Sequence, residues 1–294
     1  MKGKFRIGGA VLFGVVVILG AFMVQKNGNE APSEGYIVAA APERTAIPTS
    51  DLNGDGVPDW EESLRARIFE TIATPTSTVL AEEGEGSYER PVTLTGRFSE
   101  AFLQDYLEGK MDGADFSDPS VLVGNAVEAI DGSVRSKRYS PLQAERTPTT
   151  PDSVRAYGNR IAEIVAMHSI QNENEAAILQ RALAADDPRI LQDLEPIQEV
   201  YEKIIRDALV MPVPETLVDE HIDFLNAAEA VKTDIVAMQV AFSDPLYTLA
   251  RMRTYEADAL ALLNSLHGMA KTFADVGISF RNDELGAVFS MFII

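Results

Sequence analysis

The chain has 294 residues, of which 45 are acidic and 25 basic, a formal net charge of −20 at neutral pH, and no cysteine. The lack of cysteine excludes disulfide bonds and thiolate chemistry, and a chain of this length can bury a core without disulfides. The acidic balance argues against nucleic acid as a partner, because binding to phosphates requires a basic surface.

The N-terminus predicts a membrane anchor. Residues 1–6 form a basic tip, and residues 7–25 form an almost wholly apolar and glycine-containing segment that ends before Lys26. At about 1.5 Å per residue, this segment nearly crosses a hydrocarbon core about 30 Å thick. The positive-inside rule then predicts a single-pass protein with a cytoplasmic N-terminus and an extracytoplasmic C-terminal domain. A cleaved signal peptide is the alternative, since it also has a basic start and an apolar middle.

The predicted outer part is strongly acidic. Four of the 25 basic residues lie at or before Lys26, so 21 remain against all 45 acidic residues after it. Such a surface is well solvated and attracts divalent cations. Its first residues, 26–50, are rich in Ala, Pro, Glu and Gly and are predicted to be a spacer that holds the next segment away from the membrane. An exported chain without cysteine suits a bacterial cell envelope.

The most specific motif runs from Asp51 to Glu62 and matches the pattern D-x-[DN]-x-[DN]-G-x₅-E. Ca²⁺ takes six to eight oxygen ligands, and such a loop supplies them from positions 1, 3, 5, 7, 9 and 12. The predicted ligands are Asp51, Asn53, Asp55, the Val57 carbonyl, Asp59 (directly or through water) and Glu62. Gly56 occupies position 6, where the chain turns sharply with positive φ. An acidic surface turn without metal is the alternative, because Asn-Gly and Asp-Gly also favour plain turns.

These residues resemble the loops of EF-hand proteins, and more closely the secreted variants in dockerin and thrombospondin type 3 modules. The resemblance covers Asp51 to about Ile72, where Leu64, Ile68 and Ile72 recur at helical spacing. Pro42 and Pro48 argue against a helix before the loop. We therefore expect half an EF-hand over residues 51–72, consisting of a loop and the helix that leaves it.

The loop also departs from the family. Pro58, at position 8, has no N–H for the backbone ladder that joins paired EF-hand loops, and the chain contains no second copy. A single site of this kind is expected to bind Ca²⁺ weakly, with Kd ~10⁻⁴ to 10⁻³ M, and to be mainly structural. Dockerins grip their partner with two copies, so cohesin-like binding is not expected.

After a predicted linker over residues 73–94, residues 95–294 are predicted to form a helical bundle, and the fold class is all-α. Apolar periodicity predicts helices over 152–169, 173–184 and 188–211, the last with a kink at Pro196. No segment alternates as a β-strand does.

Two long helices joined at Ser243-Asp244-Pro245 give the strongest structural signal. Their apolar residues follow the heptad spacing of a helix seam. The first seam is Leu217, His221, Phe224, Ala228, Val231, Ile235, Met238 and Phe242; the second is Met252, Tyr255, Ala259, Leu262, Leu266, Met269, Phe273 and Val276. They predict a long antiparallel helical hairpin packed in a bundle, with a ligand groove between the helices as the alternative. The apolar end, residues 285–294, is predicted to dock on the bundle or, alternatively, to contact a partner or the membrane.

No catalytic constellation is found in the sequence. His168, His221 and His267 lie in different predicted helices, without the spacing of a zinc site. Glu199, Glu202 and Asp207 could be imagined as a carboxylate pair of a glycan hydrolase, but acids at helical spacing usually form a solvated face.

The layout resembles that of uncharacterised membrane-anchored bacterial surface proteins. We therefore expect a Ca²⁺-binding envelope scaffold or interaction module, attached to the membrane through residues 7–25, with another envelope protein as partner. A membrane-anchored sensor or solute-binding helical domain is the first alternative, and an envelope hydrolase is the weaker one.

Overall fold

The structure is a computed structural model that describes residues 50–73, 91–101 and 134–292. Its α-helices include α1 (Asp59–Ala73), α2 (Pro151–His168), α3 (Glu175–Ala185), α4 (Glu195–Leu209), α5 (Val218–Gln239) and α6 (Pro245–Asp275). Residues 94–101 are also helical. Short 3₁₀ helices cover Pro141–Gln143, Pro188–Leu194, Glu215–Leu217 and Leu285–Phe292. These described residues are mainly helical, which confirms the predicted all-α class.

The predicted transmembrane segment, residues 7–25, and the spacer up to residue 49 lie outside the described residues. Among the helices that the structure does describe, none combines the length and the hydrophobicity needed to cross a bilayer.

Local capping explains where several helices begin. Thr150 accepts a hydrogen bond from the Ser153 N–H at 3.1 Å, while Pro151 occupies the first turn of α2, where its missing N–H costs nothing. Asn174 caps α3 through the N–H groups of Ala176 and Ala177, at 2.9 and 3.3 Å. The predicted kink at Pro196 is wrong: α4 begins at Glu195, so the proline lies in the first turn and ends the preceding 3₁₀ helix instead of bending a longer one.

The predicted hairpin is present as α5 and α6. Its antiparallel register is set by side chains of α6 that reach α5: the Thr248 hydroxyl donates to the Ala237 carbonyl at 2.5 Å, and Thr272 donates to Glu220 at 2.6 Å. Every seam residue from Leu217 to Met238 and from Met252 to Phe273 is buried. Only the ends differ, since Phe242 is half-buried and Val276 is exposed.

The remaining elements pack on this hairpin. Helix α4 contacts α5 and α2, and α1 contacts α6 and α3. The structure also contains two strands that the sequence did not predict, β1 (Glu145–Thr147) and β2 (Pro212–Pro214), which pair in parallel. Three residues are too few for an alternating pattern to be visible, and two prolines in β2 point away from a strand assignment.

The apolar C-terminal residues dock on the bundle as far as they are described. The 3₁₀ helix Leu285–Phe292 contacts α2 and α6, with Val288 and Phe289 buried. The rings of Phe289 and Phe273 meet edge to face, with centroids 4.9 Å apart. The docking prediction for this segment is therefore confirmed for residues 285–292.

Candidate functional site

The first half of the 51–62 loop is held by its own polar side chains. The Asp51 carboxylate accepts the N–H groups of Gly54 and Gly56 at 2.8 and 3.0 Å. Asn53 Oδ1 accepts the Asp55 N–H at 2.9 Å, and Asp55 Oδ1 accepts the Val57 N–H at 2.8 Å. Each short acidic or amide side chain thus stabilises a local turn of the backbone.

Two glycines allow this chain path. Gly54 has φ of 73° and Gly56 has φ of 92°, in the left-handed region where a residue with a Cβ is strained. Gly56 is the residue for which the sequence predicted a sharp turn, and its positive φ confirms that part of the prediction. A side chain at this position would strain the turn in which Asp51 accepts two N–H groups at once.

The second half of the loop runs into α1. Asp59 begins the helix, and its N–H donates to the Ser50 carbonyl at 2.8 Å. Its carboxylate accepts hydrogen bonds from the Ser50 hydroxyl and from the Leu52 N–H, the latter at 3.0 Å. Asp59 therefore ties the two ends of the loop together, a role that the sequence pattern did not reveal and in which Ser50 is its partner.

The structure brings the middle of the loop to its last predicted ligand. Asn53 Nδ2 donates to Glu62 Oε1 at 2.8 Å and lies 3.4 Å from Asp55 Oδ2. Positions 3, 5 and 12 of the loop are thus close to one another, while Asp51 faces the backbone and Asp59 faces the start of the loop.

The carboxylates themselves are not gathered around one point. Across the described ranges, no three Asp, Glu or His side chains are close enough together to hold a metal ion. The donor set of the loop, carboxylate, amide and carbonyl oxygens, is the set that Ca²⁺ prefers. Binding would require Asp55 and Glu62 to turn from their present hydrogen bonds toward a shared cation.

Helix α1 attaches the loop firmly to the bundle. Leu64 and Ile68 are fully buried and belong to the same core as the hairpin. On the neighbouring face, Arg67 pairs with Asp186 and lies over the ring of Phe242, 4.2 Å from its centroid. The predicted apolar face of this helix is therefore confirmed at Leu64 and Ile68, and it joins the loop to α3 and α6.

The interior of the hairpin contains a polar cluster that the sequence analysis missed. Arg251, 6% exposed, donates from Nε to Asp234 Oδ1 at 2.8 Å and from Nη2 to Asp258 Oδ2 at 2.9 Å. Its remaining bonds go to the carbonyls of Ala230 and Val134, both at 3.1 Å. Burial raises the pKa of Asp234 to about 8, against the lowering effect of Arg251.

Further buried acid and hydroxyl groups lie near this cluster. Glu175 is 4% exposed, and burial raises the pKa of its carboxyl group. The Tyr255 hydroxyl lies beside the Glu175 carboxyl group. Within the described residues, the Tyr201 hydroxyl and Asp234 Oδ2 are buried without a hydrogen-bond partner. The sequence pattern alone does not pair these two residues: Asp234 follows the seam residue Val231 by three positions, and Arg251 meets it only in the register that the folded hairpin adopts.

The three histidines remain apart. His221 is fully buried in α5, its Nδ1 lies 3.1 Å from the Tyr157 hydroxyl, and burial lowers its pKa to about 4. His168 Nε2 lies 2.7 Å from Asp207 Oδ2, where α2 ends, and His267 is exposed on α6. The candidate acids for glycan cleavage have separate partners: Glu199 binds Lys203, Glu202 binds Gln198, and Asp207 binds His168 and Arg206.

No family model, no curated protein and no solved structure matches this chain. Conclusions about function therefore depend on the residues of the chain itself.

Proposed function

We propose that this chain is a membrane-anchored, extracytoplasmic helical protein that binds Ca²⁺ through the 51–62 loop and acts as a scaffold or interaction module in the cell envelope. Asp51, Asn53, Asp55, Val57, Asp59 and Glu62 would hold the ion. Bound Ca²⁺ supplies positive charge that draws their oxygens together and fixes the path of the loop. The membrane would be engaged by residues 7–25.

One observation carries the calcium part of the proposal. Asn53 contacts both Asp55 and Glu62, so side chains from the first half of the loop already meet the last predicted ligand. A small rotation of exposed side chains would replace the Asn53 amide between the two carboxylates with a cation. The contact joins positions 3 and 12 of the loop, which a bound cation would also join.

The link to the bundle supports a structural role for the ion. Glu62 lies in α1, two residues before the buried Leu64 and six residues before the buried Ile68. A ligand bond at Glu62 would therefore restrain a helix that is already part of the core, while Asp51 and Asp55 restrain the chain that leads back to the spacer. Ca²⁺ would thus set the angle at which the bundle leaves the membrane-proximal chain.

The direct test is Tb³⁺ luminescence on the detergent-solubilised full chain, excited through Trp60. Trp60 is the only tryptophan and lies at position 10 of the loop, so energy transfer reports on this site alone. We expect emission that Ca²⁺ displaces and that Asp55→Ala abolishes. The matched control is Asp223→Ala, which removes an exposed acid from α5. Emission that survives Asp55→Ala would reduce the loop to an acidic turn.

Thermal or urea unfolding gives a second readout. For Kd ~10⁻⁴ to 10⁻³ M, 10 mM Ca²⁺ should stabilise the protein by about 1.4 to 2.7 kcal/mol, and Glu62→Gln should remove this gain. The scaffold part is tested by capture of envelope proteins on the immobilised full chain, with and without Ca²⁺. A partner retained equally by the Asp55→Ala variant would separate the interaction from the metal site.

A further inference from the structure

Two adjoining cavities lie along one face of α6. Their volumes are about 440 and 280 Å³, and their walls share Val134 and Arg135. Tyr247 lines the larger cavity and Thr254 the smaller one. These lining residues recur along α6 from 244 to 258, a length of about 21 Å at the rise of an α-helix.

The walls of these cavities are basic, in contrast to the rest of this acidic chain. Arg97 lines the larger cavity, Arg138 and Arg251 line the smaller one, and Arg135 lines both. Arg97, Arg135 and Arg138 are exposed, whereas Arg251 is buried. A local group of arginines in a protein of net charge −20 is a focused site for an anion and not part of a general basic surface.

Among the described residues of the walls, two are acidic, and both are already engaged. Asp244 accepts the N–H groups of Leu94 and Thr95 at 2.7 and 2.8 Å, and the Thr95 hydroxyl at 2.6 Å. Asp258 accepts from Arg251. Within residues 50–73, 91–101 and 134–292, no acidic side chain pairs with Arg97 or Arg138.

We infer that these adjoining cavities, which we name the arginine groove, bind a small polyanion that carries carboxylate or phosphate groups. The guanidinium fork matches the oxygens of both groups and can bind them in pairs of parallel hydrogen bonds. The larger cavity falls in the range of small-molecule sites, about 300 to 1,000 Å³. The inference goes beyond the proposed calcium function and does not depend on it.

Arg251 connects the groove with the interior of the hairpin. Its guanidinium is shared between Asp234, which is fully buried, and Asp258, which lies in the wall of the groove. An anion in the smaller cavity would therefore lie beside the network that joins α5 to α6. We expect its binding to be saturable and also to raise the free energy of unfolding.

The test is isothermal titration calorimetry of the detergent-solubilised full chain with citrate and, separately, with pyrophosphate. The protein carries Asp55→Ala and the buffers are free of divalent ions without added chelator, because both probes bind Ca²⁺ and a chelator is itself a polycarboxylate. Ionic strength is kept constant with NaCl. We expect saturable binding of at least one probe, and at least about tenfold weaker binding in Arg97→Gln/Arg138→Gln.

A charge-matched control separates the groove from net charge. Arg160→Gln/Arg206→Gln removes two exposed arginines from α2 and α4 and should leave the affinity unchanged. If the groove variant does not fold by circular dichroism, Arg97→Lys/Arg138→Lys replaces it, keeps the charge, and should still weaken binding several-fold because the fork is lost.

The titrations either assign the chemical class of the ligand or overturn the inference. Binding of citrate alone assigns a polycarboxylate ligand, and binding of pyrophosphate alone assigns a phosphorylated one. No saturable binding of either probe would overturn the inference. Equal weakening by the groove variant and by the charge-matched control would also overturn it, because the effect would then be general electrostatics.

Discussion

Asp234 and Asp55 carry the same side chain in opposite surroundings. Asp234 is fully buried between two helices and is bound by Arg251, a cation supplied by the chain itself. Asp55 is exposed on a loop, where its carboxylate accepts a backbone N–H and lies near the Asn53 amide. Burial makes a carboxylate depend on a proton or a fixed partner, whereas exposure leaves it available for an ion from solution.

Stability and ion binding should therefore depend on different parts of this molecule. Substitutions around Asp234 should alter the free energy of unfolding strongly, because desolvated polar groups have no alternative partner. Substitutions in the loop should alter ion binding while the fold changes little, because water replaces each lost contact.

The largest effect is expected for Arg251→Leu. The substitution leaves the buried Asp234 carboxyl group without its donor, and it should lower the free energy of unfolding by about 3 to 5 kcal/mol. Urea unfolding followed by circular dichroism measures this loss. The double variant Asp234→Leu/Arg251→Leu should regain much of it, because no orphaned carboxyl group remains. A double variant no more stable than the single one would show that packing, and not the polar pair, accounts for the loss.

The second prediction concerns α1, the helix that follows the loop, and tests whether it belongs to the core. Ile68 is fully buried in α1, so Ile68→Ala should cost about 2 to 4 kcal/mol in the same unfolding experiment. Phe69→Ala is the control on the exposed neighbouring position, since Phe69 is 44% exposed and should matter much less. Equal small losses for both variants would mean that α1 unfolds separately from the hairpin.

A smaller effect follows from the pKa of Asp234, which burial raises to about 8. The folded state then holds a proton that the unfolded state releases near its usual pKa of about 3.9. This contribution to stability is present below that value and is lost as pH rises toward 8. Asp234→Asn lacks this pH-dependent contribution. As pH rises from 6.5 to 8.5, the free energy of unfolding of the variant should therefore increase by about 1 to 2 kcal/mol relative to that of the native chain.

The pH window matters because His221 acts in the opposite direction. Burial lowers its pKa to about 4, so its contribution to stability is lost as pH falls from about 6.5 toward 4. Above pH 6.5 His221 therefore contributes little to the pH dependence, and Glu175, whose pKa burial also raises, is common to both proteins, so the difference between their stability curves reports on Asp234. Parallel stability curves for Asp234→Asn and the native chain would show that Asp234 stays ionised beside Arg251.

Much of the fold could be predicted from the sequence because it depends on short-range periodicity. The seams from Leu217 and from Met252 fixed both long helices to within a few residues, and Asp244-Pro245 fixed the turn between them. The Asp234 and Arg251 pair could not be predicted in the same way, because it forms only after two helices have adopted one register. Strands of three residues, which contain Pro212 and Pro214, lack any periodic signal of their own.

In the 51–62 loop, too, the sequence predicts the backbone but not the side-chain contacts. Its turns at Gly54 and Gly56 follow from local residue types, and the structure has them. The directions of its side chains depend on what each oxygen can bind, and sequence spacing does not specify this. Asp59 illustrates the point, because its position in the motif predicts a metal ligand while its carboxylate binds Ser50 and Leu52.

The smallest change in stability is expected for Asn53→Asp, which adds a carboxylate to the exposed loop. Without Ca²⁺, the new carboxylate replaces an amide that donates to Glu62 and so adds repulsion between exposed acids, which water and salt largely screen. The melting temperature should fall slightly. With Ca²⁺ the same charge becomes an added ligand charge, and affinity rises with the number of charged ligands, so Tb³⁺ and Ca²⁺ titrations through Trp60 should show several-fold tighter binding. A change of sign between the two conditions separates a cation site from a plain turn, since a turn held only by hydrogen bonds would be weakened by Asn53→Asp with or without the ion.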